Sequence, residues 1–222
     1  PEIVDGLLDA AVLPPSYVAA VKGLRPSLSA LVMNLWLDCP AEELGIHNHI
    51  TIAFPDPDID SWIKKQRASR FVDGFSVTAH GHTEPALVSP ERATLSIVGG
   101  TDSSQWLALE GDAYRQAKAE TAEDMLRKVE RVFPGLREHV MFSELATPRT
   151  MRRYTGNPSG AIMGFECAAG GHRKILAAGR IPVRRLALAS AWTDRLGGFM
   201  QCVKAGLFAA EKVLPGKGGR DV

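Results

Sequence analysis

The residues with the greatest potential for ligand chemistry lie near the end of the chain, in the stretch LALASAWTDRLGGFMQCVKAGLFAAEKV, residues 186–213. Gly197 and Gly198 open a predicted amphipathic helix, and because they lack Cβ atoms their backbone can approach a flat ligand closely. The unpaired N–H groups at a helix start favour an anionic or electron-rich partner. One side of this helix consists of small residues: Cys202, Ala205, Gly206, Ala209 and Ala210. A glycine pair is also a common tight turn, so turn formation alone is the alternative interpretation.

A second segment, ELATPRTMRRYTGNPSGAIMGFE at residues 144–166, is polar and rich in glycine. We expect a long irregular connection over residues 149–171, and such connections in compact domains are often functional. Thr147, Thr150 and Tyr154 would then line a cleft. The alternative is a surface loop in which Thr147 or Thr150 caps the start of a helix.

Two histidine pairs raise the question of metal binding: His47 with His49, and His80 with His82. Residues two apart in a strand share a face, so each pair could chelate a metal ion. No carboxylate or third ligand is spaced to complete either site, and we interpret all four as strand-edge or loop histidines. The sequence therefore predicts no metal site. It also lacks a nucleophile elbow, so a hydrolase is not supported and no catalytic acid–base residue is assigned.

The composition indicates which class of protein the chain belongs to and which partners are excluded. The chain has 222 residues, of which 45% are hydrophobic and 23% charged, which suits one large globular domain or two small ones. A net charge of +1 argues against nucleic acid as a partner. The three cysteines are far apart, which indicates a reducing compartment, and we expect a cytoplasmic location. No apolar stretch is long enough to span a bilayer.

The predicted elements describe an α/β or α+β protein. Two short N-terminal helices are expected to break at Pro14-Pro15, a short helix or turn is expected at residues 58–66, and a long helix over residues 111–133 should end at Pro134-Gly135. Alternating or apolar runs predict six strands, at residues 28–38, 47–56, 74–81, 92–100, 139–148 and 184–192. Such an order favours a mostly antiparallel or mixed sheet in the first two-thirds of the chain.

The two candidate ligand-binding segments, residues 144–166 and 186–213, also resemble a known protein family. The run FPGLREHVMFSELATPRTMRRYTGNPSGAIMGFE and the run ALASAWTDRLGGFMQCVKAGLFAAEKV resemble the C-terminal half of the phytoene desaturase and carotenoid isomerase family. These are FAD-dependent oxidoreductases, a group that includes the retinol saturases. The upstream run LPPSYVAAVKGLRPSLSALVMNLWLD is similar to that family's passage from a flavin-domain segment into the substrate domain. The resemblance covers nearly the whole chain.

The resemblance implies the C-terminal portion of a two-domain flavoprotein fold. Residues 1–25 would be a linker or flavin-domain segment, residues 26–146 a substrate-binding domain with a mixed sheet, and residues 147–222 the return segment of the FAD-binding domain. The family's G-x-G-x-x-G fingerprint is absent from the chain, so we expect the N-terminal Rossmann unit to lie on a missing segment or a separate subunit. By the same resemblance, the residues that contact the flavin are Trp192, Gly197, Gly198, Phe199 and Met200. Thr147, Tyr154 and Gly160 would face the flavin or the substrate.

The function implied is oxidation, reduction or cis–trans isomerisation of C–C double bonds in an apolar, isoprenoid-like substrate. FAD would be bound in the complete protein, and only weakly or not at all by this chain alone, which we expect to be inactive. Peripheral membrane contact is a further expectation, as is self-association through an apolar face of the last helix. Ser190-Ala191 stands where the family has Gly-Asp. The alternative is therefore a non-enzymatic module of related fold that binds prenyl groups, lipids or a partner without flavin.

Overall fold

The computed structural model describes residues 3–54, 58, 60–61, 64–65, 70, 74–166, 175–176, 180–193 and 197–214. The chain divides into two compact units. We call Leu28–Gly160 the sheet unit, and Pro1–Ser27 together with Ala161–Val222 the terminal unit. The assignment of chain segments to substrate and flavin domains stays a prediction.

The sheet unit is built on a five-stranded sheet. Its strands are β1 (Ser29–Leu37), β2 (Ile50–Ala53), β3 (Phe75–Ala79), β4 (Ala93–Thr101) and β5 (Val140–Ala146). Their order across the sheet is β2-β3-β4-β1-β5, and every neighbouring pair is antiparallel. The five strands predicted in this part of the sequence are thus confirmed, and the sheet is antiparallel rather than mixed.

Buried and partly exposed residues alternate along the central strands, which gives the sheet one buried face. In β4, alternate residues are buried, and the antiparallel register places Leu95 opposite Leu35 and Ile97 opposite Met33. Successive side chains of a strand point to opposite faces, so all four lie on the same side of the sheet. Their burial there, each at 0–1% exposure, makes this face the core of the sheet unit.

Five α-helices have both of their ends among the described residues. They are α1 (Pro15–Lys22), α2 (Ser104–Leu107), α3 (Gly111–Glu130), α4 (Pro148–Thr155) and α5 (Phe199–Val213). The predicted long helix is confirmed as α3, whose buried residues Ala117, Met125 and Val129 belong to the same core as the strands. The break at Pro14-Pro15 is also confirmed, because α1 begins at Pro15. Within the helix or turn predicted at residues 58–66, the described residues 60–61 and 64–65 are helical.

The expected irregular connection over residues 149–171 is wrong in its first part, because α4 occupies it. Thr147 and Thr150 form a reciprocal capping box, in which the Thr150 hydroxyl accepts a hydrogen bond from the Thr147 N–H at 3.2 Å. Pro148 stands at the first helical position, where its missing N–H costs nothing. The alternative of a threonine-capped helix is therefore the one that the structure shows.

The predicted closing strand at residues 184–192 is also wrong. Only an isolated bridge between Arg180 and Ala187 is present there. Ser190 makes local hydrogen bonds instead: its hydroxyl accepts from the Trp192 N–H at 3.1 Å, and its carbonyl accepts from the Thr193 hydroxyl at 3.0 Å. Such side-chain and turn bonds compete with strand pairing, which explains why the apolar run does not extend.

The terminal unit has a small core of its own. Val21 of α1, Phe165 and Leu176 are buried together, with Tyr17 and Trp192 packed against them. Backbone hydrogen bonds join the two parts of this unit: the Ser27 N–H donates to the Gly164 carbonyl at 2.8 Å, and the Glu166 N–H to the Arg25 carbonyl at 2.7 Å. No described helix has both the length and the apolar composition needed to cross a bilayer.

Candidate functional site

Gly198 forms the N-terminal turn of α5 in a conformation that glycine alone adopts readily. Its φ is 102° and its ψ 151°, and the first helical bond runs from the Cys202 N–H to the Gly198 carbonyl at 3.0 Å. A Cβ built on Gly198 would meet nothing within 4 Å. The backbone angles, not crowding by described residues, thus demand a glycine, and the N–H groups of the first helical turn have no acceptor within the helix itself.

Gly197 serves a different purpose, because a neighbouring segment approaches it closely. A Cβ here would lie 2.8 Å from the Cα of Met163 and 3.2 Å from the carbonyl oxygen of Ile162. Gly164 meets the turn before α5 in a similar way, since its Cβ would lie 2.8 Å from the carbonyl carbon of Ala191. Glycines on both sides therefore let residues 162–164 pack directly on the backbone that leads into α5.

Trp192 anchors this arrangement in the core of the terminal unit. Its ring meets Phe165 edge to face, with the ring centroids 4.8 Å apart and an interplanar angle of 82°. The next residue, Thr193, is buried at 2% exposure. Trp192 is thus engaged in packing and holds the position of the turn.

The large apolar residues of α5 point to solvent. Its small residues Ala205 and Ala209 are buried, which is the small face that the sequence predicted. Phe199 is 96% exposed, and the exposed residues continue at helical spacing. We call Phe199, Met200, Val203 and Leu207 the apolar stripe of α5. An apolar stripe of this kind marks a surface that another chain segment or a ligand covers.

The second group of predicted residues belongs to the sheet unit. Thr147 is fully buried, and its hydroxyl lies 2.9 Å from the hydroxyl of Tyr114. Gly160 packs on the carbonyl group of Pro148, with which a Cβ would overlap, while Tyr154 is 77% exposed. The structure therefore brings Thr147 and Gly160 together around the start of α4, with Tyr154 on the surface of that helix.

The sheet presents a face that sequence reasoning missed. Opposite the core, the strands direct a second set of side chains outward; we call Asn34, Trp36, Ile50, Ile52, Ser96 and Phe142 the open sheet face. Four of them are large and apolar, with exposures between 45% and 60%. The signal was present in the sequence, because apolar residues stand at the outward phase of β1, β2 and β5.

Two kinds of contact organise the open sheet face. Trp36 of β1 and Phe142 of β5 pair with their ring centroids 5.2 Å apart. Beside them, the Ser96 hydroxyl donates to Asn34 Oδ1 at 2.7 Å and lies 2.8 Å from His80 Nε2. The face thus combines an aromatic pair with a short polar row, a composition typical of ligand-binding surfaces.

Two further histidines, His49 and His82, are also bonded within the protein. His49 Nδ1 lies 3.1 Å from the Ala79 carbonyl oxygen, and His82 Nε2 lies 2.9 Å from that of Ile46. His82 Nδ1 also approaches a carboxylate oxygen of Glu42 at 3.4 Å. These contacts hold the segments around β2 and β3 together.

The chain folds as a mixed α/β protein. Its sequence has a distant and partial similarity to one class of isomerase. No family model matches the chain. Prolycopene isomerase 1 and prolycopene isomerase 2, both chloroplastic and from an Oncidium hybrid cultivar, are each 28% identical to it over 78 residues. These residues are 35% of this chain and 13% of each relative, so the match spans a small part of the relatives' length. This weak, partial similarity agrees with the carotenoid isomerase branch of the resemblance.

Proposed function

We propose that this chain is the C-terminal part of an FAD-dependent oxidoreductase that acts on C–C double bonds of an apolar, isoprenoid-like substrate. Desaturation, saturation and cis–trans isomerisation are the reactions in this class. The partial similarity to two prolycopene isomerases supports it. The observation that carries the proposal is the open sheet face, where Trp36, Phe142 and Ile52 expose apolar surface beside a short polar row.

The open sheet face is suited to an extended apolar ligand. Five strands about 4.8 Å apart give a surface roughly 19 Å wide from β2 to β5. Ile50 and Ile52 stand at one edge and the Trp36–Phe142 pair toward the other. A long hydrocarbon lying across the strands would contact both apolar groups and bury surface that is now exposed.

The turn before α5 has the features that a flavin ring requires. Gly198 carries no side chain, no described residue lies within 4 Å of its Cβ position, and the N–H groups of the first turn of α5 have no acceptor within the helix. These N–H groups would stabilise negative charge at the ring edge, while Phe199 and Met200 would cover the ring and exclude water. Trp192 and Gly197 would support the turn from behind. When bound, FAD supplies the hydride acceptor or donor.

The missing partner in this proposal is the Rossmann segment that binds the nucleotide. The apolar stripe of α5 is the surface that such a segment would cover, since Phe199 and Leu207 are exposed at 96% and 61%. We therefore expect the isolated chain to retain little FAD, to lack activity and to self-associate. A cytoplasmic location stays a prediction.

Peripheral membrane contact fits a second exposed region of the sheet unit. A cleft of about 450 Å³ is lined by Ile52, Phe54 and Val132 together with Lys128 and Arg131. Lys128 is paired with Asp124 at 2.9 Å, so Arg131 is the cation that, beside these apolar side chains, favours a surface of anionic lipid, from which an apolar substrate could be taken up. Binding of the purified protein to anionic vesicles but not to neutral ones is the expected result.

A non-enzymatic lipid-binding module is the second candidate. The open sheet face could hold a prenyl group without flavin, and the chain has Ser190-Ala191 where the resembled family has Gly-Asp. In the structure Ser190 belongs to a local turn, which leaves its side chain occupied. A protein that binds an isoprenoid but gains no stability from added FAD would favour this candidate.

The decisive test is flavin retention by the complete gene product. We expect it to purify with bound FAD, and Gly198→Leu to abolish retention because a side chain would fill the space beside the turn. Gly156→Leu controls for a leucine at a positive φ with open space at the Cβ position: Gly156 has φ 73° and lies in the sheet unit, although its left-handed helical backbone strains a leucine less than the φ of 102° and ψ of 151° at Gly198. Equal flavin content in Gly198→Leu and the parent protein would refute the assignment of this turn.

A further inference from the structure

The end of β1 and the segment before β5 bring together an aspartate, a cysteine and a histidine. The ligand atoms of Asp38, Cys39 and His139 all lie within 4.8 Å of one another. His139 Nδ1 lies 2.8 Å from Asp38 Oδ1. This cluster takes no part in the flavin site or the open sheet face proposed above.

A β-bulge places the three residues in contact. Along β1 and β5, Trp36 pairs with Phe142, but the next residue, Leu37, pairs with Val140, so the register shifts by one residue. The shift brings His139 beside Asp38, whose N–H donates to the His139 carbonyl at 3.1 Å. Bulges commonly re-aim side chains at functional positions, and here the backbone fixes two of the three groups.

The environment of Cys39 argues against a nucleophilic thiol. Burial raises its pKa, and the charges of Glu43 and Asp38 raise it further. A catalytic cysteine needs the opposite, a pKa lowered by cations or a helix start. The Asp38 carboxylate, whose oxygen lies within 4.8 Å of the Cys39 and His139 ligand atoms, would instead attract a divalent cation to the cluster.

We propose that Asp38, Cys39 and His139 bind a divalent transition metal, with Zn²⁺ as the ion that suits this set of ligands best. Thiolate sulfur, imidazole nitrogen and carboxylate oxygen are the three donor types that zinc uses in proteins. Cys39 is 4% exposed, whereas the side chains of Asp38 and His139 are 54% and 39% exposed. The metal would therefore sit at the protein surface with its remaining coordination position open to water, and would tie β1 to the start of β5.

Cobalt spectroscopy tests the proposal directly. Co²⁺ added to the reduced, chelator-treated protein should produce a thiolate-to-cobalt charge-transfer band that stoichiometric Zn²⁺ removes. Cys39→Ser should abolish the band, and Cys202→Ser, the control for thiol content, should retain it. His139→Asn should weaken Co²⁺ binding more than about 100-fold, beyond the usual effect of an outer-shell partner. His47→Asn, at an exposed histidine outside the cluster, should leave binding unchanged.

Several outcomes would overturn the proposal. The first is no charge-transfer band in the parent protein, and the second is a band that survives Cys39→Ser. Cys39 is part of the core, so its replacement could prevent folding. In that case His139→Asn decides, because this side chain lies at the surface, and Co²⁺ affinity equal to that of the parent protein would refute the site.

Discussion

Replacement of Trp36 by alanine separates the stability of the sheet from its proposed role in ligand binding. Trp36 is 57% exposed and its main aromatic partner is Phe142. An aromatic pair contributes about 1 kcal/mol beyond its buried area. The buried part of Trp36, roughly 110 Å² at 57% exposure, adds about 2.7 kcal/mol at about 25 cal/mol per Å², so Trp36→Ala should lower the free energy of unfolding by about 3–4 kcal/mol. By the same area estimate, Trp106→Ala, at a fully buried indole of roughly 250 Å², should cost about 5–6 kcal/mol.

The effect on ligand affinity follows from the exposed area of the indole. Out of roughly 250 Å² for a large aromatic side chain, 57% leaves roughly 140 Å² exposed. A flat hydrocarbon covers one face, roughly half of this area, which is worth about 1.7 kcal/mol at about 25 cal/mol per Å². Trp36→Ala should therefore weaken binding of an apolar polyene about 20-fold.

Equilibrium binding of a detergent-dispersed polyene and chemical denaturation measure the two quantities separately. The comparison uses the complete protein in parent, Trp36→Ala and Trp106→Phe forms, the last being a conservative core control. Unchanged polyene affinity in a folded Trp36→Ala variant would refute the open sheet face as the binding surface. A stability loss as large as that expected for Trp106→Ala would contradict the exposure on which the estimate rests.

Three further predictions follow from the described contacts. Leu207→Glu places a charge in the apolar stripe of α5 and should reduce self-association of the isolated chain in sedimentation velocity, with helicity unchanged. Gly164→Ala should lower the free energy of unfolding by more than about 2 kcal/mol in chemical denaturation, because its Cβ would strike the backbone before α5. Burial raises the pKa of Asp124, but hydrogen bonds from Lys128 and Arg127 outweigh it, so the pKa is lowered. The stabilisation from Asp124 is present above about pH 4 and lost as pH falls through the folded-state pKa, so Asp124→Asn should flatten that acid decline in urea titrations.

Each of these three predictions can be contradicted by a specific result, and the first two have a control variant. Gln201→Glu, on the same helix but outside the stripe, should leave self-association unchanged, and an equal effect of both charges would contradict the role of the stripe. Gly156→Ala reproduces the positive φ of Gly164 without a clash, so equal losses in the two variants would show that strain alone acts. Parallel acid profiles of Asp124→Asn and the parent protein would contradict the assigned ion pairs.

Local patterns in the sequence predicted much of the fold correctly. The alternation in β4 and the helical spacing of Met125 and Val129 predict the right elements, because periods of two and 3.6 residues record which side chains face a core. The glycine at position 198 was also recognisable, since a φ of 102° is a local property. The irregular connection predicted where α4 lies was wrong for a local reason as well. The capping box of α4 has Thr150 at the position where glutamate or glutamine is the usual signal.

The remaining features depend on contacts between distant parts of the chain. The order β2-β3-β4-β1-β5 and its bulge set Asp38 against His139, and no local pattern encodes that pairing. The run at residues 184–192 is apolar enough for a strand, yet it is held as turns with Trp192 on Phe165. By itself, then, the sequence determined the strands of the sheet, the long helix α3 and the glycine turn. Only the tertiary structure decided which strands pair, which face stays open and which residues meet, because these outcomes follow from the packing of segments far apart in sequence.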